Sequence, residues 1–196
     1  MSELRISAEM VKRLRELTGA GIMDCKEALL EAGGDIEGAM AILRRKGIAK
    51  AEKKRERETR EGLIVSYIHG GGRLGVLLEL NCETDFVART EEFAKLSKDI
   101  AMHIAAMNPR YISRKDVPEE VLDKKRKEIM EEIGVDDDEE AIKERMEEFF
   151  SEVCLLDQMF IKDMSMTVGE LIDSYIAKFG ENIVVRRYVR FELGGS

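Results

Sequence analysis

The chain has 196 residues, of which 37% are charged and 44% apolar, and its formal net charge is −8. That length buries a substantial core as one or two domains, its apolar runs are far shorter than the roughly 20 residues a bilayer span needs, and the acidic balance disfavours wholesale binding to phosphate backbones. The N-terminus Met-Ser-Glu-Leu-Arg has no signal-type apolar stretch, which points to the cytosol.

Ser7 is placed to cap a helix with the stripe Met10, Val11, Leu14 and Leu17. Thr18-Gly-Ala-Gly21 breaks it, a second helix spans about Ile22 to Ala32, and Asp35 caps a third with Ile36, Ala39, Met40, Ile42 and Leu43 before Gly47. Residues 1–47 thus read as a compact three-helix module. Ile22 and Met23 either staple its first two helices together or lie exposed as an apolar patch between Arg15 and Lys26. Residues 48–61 read as a charged linker. Its Lys and Arg, interleaved with Glu52, Glu56 and Glu58, suit a solvated helix or connector; nucleic-acid contact is the alternative, without the aromatic residues that usually accompany it.

Residues 62–196 read as the body. Leu63, Val65 and Tyr67 alternate toward His69 and a Gly70–Gly72 hairpin turn, and Leu74, Val76, Leu78 and Leu80 form the apolar face of the next strand. That strand ends at a corner, Asn81 to Phe93, and a helix with the stripe Phe93, Leu96, Ile100, Ile104 and Met107 follows. At the corner Phe86 either seals the core beneath or points outward as a wedge beside Asp85.

Asn108-Pro109 stops the helix, Pro118 starts another that ends near Gly134, and Asp136 to Asp138 make an acidic start for one carrying Ile142, Met146, Phe149, Phe150 and Val153. Thr167-Val-Gly-Glu170 is a capping box for a last helix closing at Gly180. Ile183, Val185, Val189, Phe191 and Leu193 then mark the apolar side of a third strand, with Arg187 as the exception. The expected fold class is α+β: a three-helix bundle, then a core with a three-stranded antiparallel sheet packed with helices. An uncovered sheet edge invites pairing with a second copy.

Cys25, Cys82 and Cys154 have no paired spacing and read as buried thiols, and neither His69 nor His103 stands at metal-ligand spacing. No phosphate-binding glycine loop and no nucleophile motif is present, so neither covalent chemistry nor a cofactor is expected.

Four stretches resemble bacterial elongation factor Ts, the guanine nucleotide exchange factor of elongation factor Tu. They are Leu14-Arg-Glu-Leu-Thr-Gly-Ala-Gly-Ile-Met-Asp-Cys-Lys-Glu-Ala-Leu29, Glu83-Thr-Asp-Phe-Val-Ala-Arg89, Leu155-Leu-Asp-Gln-Met-Phe-Ile-Lys-Asp163 and Val185-Arg-Arg-Tyr-Val-Arg-Phe-Glu192. The resemblance implies a ubiquitin-associated-like first module that docks on elongation factor Tu, GDP-bound or nucleotide-free, through Arg15, Ile22, Met23 and Lys26. It implies that Asp85 and Phe86, flanked by Thr84 and Val87, enter the partner beside its magnesium site, and that His69 supplies a second contact. Met159 and Met164 stand where relatives commonly have proline. Longer relatives hold two copies of the core unit; this chain resembles the short form, for which a homodimer is implied. Two rival functions remain on the residues alone: a ubiquitin-type adaptor using the first module, and an RNA-binding protein using the basic linker.

Overall fold

The computed structural model describes residues 6–134 and 139–195. In chain order its elements are α1 (Ala8–Thr18), α2 (Ile22–Glu31), α3 (Ile36–Glu52), β1 (Glu61–His69), β2 (Leu74–Cys82), α4 (Asp85–Ala88), α5 (Glu91–Met107), α6 (Glu119–Ile133), α7 (Glu139–Val153), β3 (Met159–Phe160), β4 (Asp163–Thr167), α8 (Val168–Phe179) and β5 (Ile183–Glu192). The acidic run Asp136–Asp138 lies outside the described residues. The chain divides into two compact units. One comprises Met1–Gly62, Asn81–Ala88 and Ile172–Val184, the other Leu63–Leu80, Arg89–Leu171 and Val185–Ser196.

The first unit is the three-helix bundle together with α4 and most of α8. Ser7 Oγ accepts from Met10 N–H at 3.1 Å and Asp35 Oδ2 from Gly38 N–H at 2.7 Å, so both caps sit where helices with orphan N–H groups need them. Leu14, Cys25, Ala28, Leu29, Ala39 and Ile42 form the bundle's core. Leu17, expected on the same stripe as Leu14, is exposed, because α1 turns away at Gly19 one residue after its last helical position. Nor does α3 stop at Gly47. It runs on to Glu52 because this glycine faces the side chain of α8's Ala177, whose Cβ is 3.8 Å from where a Cβ on Gly47 would stand, and because Ala51 is fully buried.

The second unit is built on a three-stranded antiparallel sheet in the order β1-β2-β5. Gly70, Gly71 and Gly72, all at positive φ, turn β1 into β2. Val76, Leu78 and Leu80 face inward, as do Phe93, Leu96, Ile100 and Ile104 of α5; Met107, the stripe's last member, is exposed at the helix end. The third strand corrects the expected alternation. Arg186 and Arg187 are consecutive exposed residues, so the phase reverses there, and Val189, Phe191 and Leu193 emerge on the outward face. Tyr188 and Arg190 turn inward instead: the Tyr188 hydroxyl donates to the Pro109 carbonyl at 2.9 Å and Arg190 Nε to the Ala105 carbonyl at 3.2 Å. The Ala105 carbonyl lies in the last turn of α5, and the residue four positions on, Pro109, has no N–H to give it, so Arg190 satisfies it while Tyr188 satisfies a carbonyl just past the helix end.

Pro118 occupies the cap position of α6. The Thr167–Glu170 capping box is formed in both directions, at 2.8 and 3.1 Å. Gly169 inside it is obligatory in size, since a Cβ there would stand 2.9 Å from the Leu156 carbonyl oxygen. The small β3-β4 hairpin was not expected, because two residues facing a short polar strand carry no usable periodicity.

Candidate partner-docking site

Two surfaces of the first unit collect the predicted residues. At the bundle, Thr18 ends α1 by donating its hydroxyl to the Leu14 carbonyl at 2.7 Å, and Gly19 takes the left-handed conformation at φ 67°. Gly21 then opens α2, so that Ile22 and Met23 fall in its first turn with their side chains outside the core. Of the two readings of this pair, exposure is correct: Ile22 and Met23 are 58% and 65% exposed, and Arg15 and Lys26 are exposed with them. Leu17 and Leu30 add apolar surface to the same module; Leu30 stands seven residues beyond Met23 and so shares its helix face. Asp24 is bound by Lys50 Nζ at 2.9 Å to each carboxylate oxygen, which secures the start of α2.

At the corner, α4 is one turn of helix between β2 and α5. Phe86 is 85% exposed, while Val87, the next residue, is 7% exposed. Asp85 and Thr84 are exposed beside Phe86. Phe86 is therefore the outward wedge and not the seal; Val87 and Ala88 do the sealing. Val87, implied as a partner contact, has almost no free surface, since a single helical turn cannot present four consecutive side chains to one side.

The corner is held by the segment that follows α8. Thr84 donates its N–H to Glu181 Oε2 at 3.0 Å and its hydroxyl to Glu181 Oε1 at 2.6 Å. Glu83 Oε1 accepts the Asn182 N–H at 2.6 Å and lies 3.6 Å from Arg57. Asn182, itself buried, donates its side-chain amide to the carbonyls of Arg55 and Arg57 at 3.1 and 2.8 Å. Glu181 and Asn182 escaped the sequence reading, because hydrogen-bonding pairs about a hundred positions apart leave no local pattern.

His69 belongs to the second unit. It is exposed at the end of β1, its ring stacked on Tyr67 and its Nδ1 3.0 Å from the Tyr67 hydroxyl.

Burial, and after it the charge of Glu181, pushes the Cys82 thiol up to about 11, and its S–H donates to the Thr84 carbonyl at 3.1 Å. All three cysteines are buried. Among the described residues no group of three or more His, Cys, Asp or Glu is arranged to hold a metal ion, and no helix is long and apolar enough to cross a membrane.

The family model for elongation factor TS matches residues 7–195. The chain is similar to elongation factor Ts of Caldanaerobacter subterraneus subsp. tengcongensis, 56% identical over 195 residues, which are 96% of this chain and 97% of that one. It is also similar to elongation factor Ts of Fervidobacterium nodosum, 55% identical over 97% of this chain and the whole of that one, and of Syntrophomonas wolfei, 55% identical over 96% and 91%. These relatives are close to this chain's length, the short form. A stiff corner that exposes a Phe, a helical module that exposes two adjacent apolar residues, and full-length similarity agree: the chain belongs to the elongation factor Ts family of translation elongation factors.

Proposed function

We propose that this chain is a cytoplasmic guanine nucleotide exchange factor for elongation factor Tu and acts without covalent chemistry of its own. Residues 1–47 dock on the partner, 48–61 link, and 62–196 carry the corner. The observation that carries this reading is the exposure of Phe86 at the tip of a corner whose neighbours are fixed: an apolar ring held out in water has its use in a partner.

Arg15, Ile22, Met23 and Lys26 anchor the complex, and His69 adds a second contact. Asp85 and Phe86, mounted on Thr84 and Val87, then enter beside the partner's nucleotide. Magnesium holds its ligands in near-octahedral order at about 2.0–2.1 Å and tolerates little distortion. Phe86 pushes the loop that bears such an ion and Asp85 redirects polar groups beside the phosphates, so the partner's grip on GDP weakens. Burying a Phe contributes roughly 1.5–3 kcal/mol, enough to help stabilise a nucleotide-free partner but not to do so alone. The docking module supplies the rest. Linkage is reciprocal, so rebinding nucleotide expels the factor.

We further propose that two copies associate. The outward face of the sheet carries exposed Ile64, Ile68, Leu77, Phe191 and Leu193, and a shallow groove of about 480 Å³ runs among Ile68, Gly75, Leu77 and Phe191. A second copy would bring the same apolar surface to cover it, as an isologous interface requires.

Release of a fluorescent GDP analogue from elongation factor Tu tests the reading. The chain accelerates release, and Phe86→Ala or Asp85→Ala slows it; if both variants match the parent, the wedge assignment is wrong.

A further inference from the structure

We propose that Glu181 is a positioning residue for the Asp85–Phe86 tip: from 97 positions away its carboxylate completes the helix cap that the corner's own residues leave incomplete. The inference deepens the exchange reading above and rests on it.

A helix opening on Thr ordinarily secures its first turn with an acid three residues later, which reaches back to the N–H of the capping residue. Three residues after Thr84 stands Val87, which is needed inside. The corner therefore cannot both seal its core and supply that acid. Glu181 resolves the conflict. One of its oxygens takes the Thr84 N–H and the other the Thr84 hydroxyl, whose oxygen in turn lies 3.5 Å from the Val87 N–H as acceptor. The Thr84 carbonyl accepts from Ala88 N–H at 3.3 Å and from the Cys82 thiol. Both donors of Thr84 are thus committed within the chain, which makes Thr84 part of the mount.

The carboxylate is itself fixed. Gly180 closes α8 at φ 76°, its carbonyl accepts from Lys54 Nζ, and the buried Asn182, next after Glu181, donates its N–H to Glu83 and its side-chain amide to the carbonyls of Arg55 and Arg57 after α3. Further back, α8 lies against the bundle through Ala177 opposite Gly47 and the Lys178 side chain opposite Gly19. One continuous set of contacts runs from the docking module through α8 and Glu181 to Thr84 and the tip. A four-residue helix cannot hold its direction unaided, since helix nucleation is unfavourable at that length. Charge-assisted hydrogen bonds to a fixed carboxylate can hold it.

The test uses the full chain with Glu181→Ala and Glu181→Gln. In Glu181→Ala, amide hydrogen exchange at residues 84–88 speeds up about tenfold while α1 to α3 keep their protection. In the GDP-release assay its rate at saturation falls about 10–100-fold, because a tip displaced by about an ångström loses that much. The half-saturating concentration stays within about twofold, because the docking residues are untouched and distant effects are close to independent. Glu181→Gln, whose amide offers Thr84 neutral hydrogen bonds in place of charge-assisted ones, falls between. Adding Glu181→Ala to Phe86→Ala slows release by less than Glu181→Ala slows the parent, because only the Asp85 contribution is left to lose.

Unchanged amide exchange at 84–88 in Glu181→Ala overturns the assignment. Faster amide exchange with undiminished release, in a series where Phe86→Ala does slow release, overturns its functional part. If Phe86→Ala has no effect on release, the wedge reading falls instead, and the amide exchange still decides whether Glu181 sets the corner.

Discussion

Phe86 and Val87 are neighbours in the chain with opposite fates: the first is 85% exposed and the second 7%. Activity and stability therefore separate between them. Phe86→Ala leaves stability within about 0.5 kcal/mol, as surface substitutions do, yet slows nucleotide release. Val87→Ala costs about 1–2 kcal/mol from the two methyl groups it removes from the interior. Chemical denaturation of the two variants beside the release assay checks the contrast.

His103 makes acid stability legible. Its ring is fully buried; Nδ1 accepts the Ile161 N–H at 3.2 Å, so Nε2 carries the proton and donates to Gln158 Oε1 at 2.9 Å. Burial lowers its pKa from 6.5, and the Gln158 bond opposes that shift only in part. The unfolded chain binds a proton at this histidine near pH 6.5 that the folded chain refuses. The stability so gained is fully present above that pH and is lost as pH falls from there to the lowered folded value, by up to about 1.4 kcal/mol per pH unit. Thermal unfolding between about pH 8 and pH 5 should show this slope in the parent, and a flatter one in His103→Gln, whose amide does not titrate.

Arg114 ties α7 to the turn that follows it. Its guanidinium grips Glu147 at 2.8 and 2.6 Å, its Nε donates to Asp157 at 2.7 Å, and it lies 4.6 Å from the centroid of the Phe150 ring. The hydrogen bonds to Glu147, and then to Asp157, hold its pKa above the usual value. Lysine has neither the fork nor the flat face, so Arg114→Lys should destabilise the fold by about 1 kcal/mol, discounted for its partial exposure. Urea unfolding measures it.

The outward sheet face predicts a change of assembly without a change of fold. Phe191→Glu replaces a 70% exposed ring, so far-UV circular dichroism of the folded chain should hold while a dimer dissociates into monomers. Sedimentation velocity of parent and variant decides it; a parent that is monomeric at all concentrations removes the homodimer from the proposal.

Local rules accounted for much of the architecture. Ser7, Asp35 and the Thr167–Glu170 pair cap helices where their spacing indicates, and the alternation of Val76, Leu78 and Leu80 marks the buried face of β2. Each of these signals repeats within a few residues, with a period or cap spacing set by backbone geometry. Alternation failed in β5 because Tyr188 and Arg190 were drawn inward by carbonyls at the end of α5, which no period in the strand records.

By itself the sequence determined the family, the α+β class and the place of the corner, because those depend on short-range patterning and on motifs that survive as strings. Which of two adjacent apolar residues at that corner faces water, and what carboxylate holds it there, only the tertiary structure decided. One helical turn is too short to have a face of its own, and Glu181 meets Thr84 through a fold that brings distant residues together.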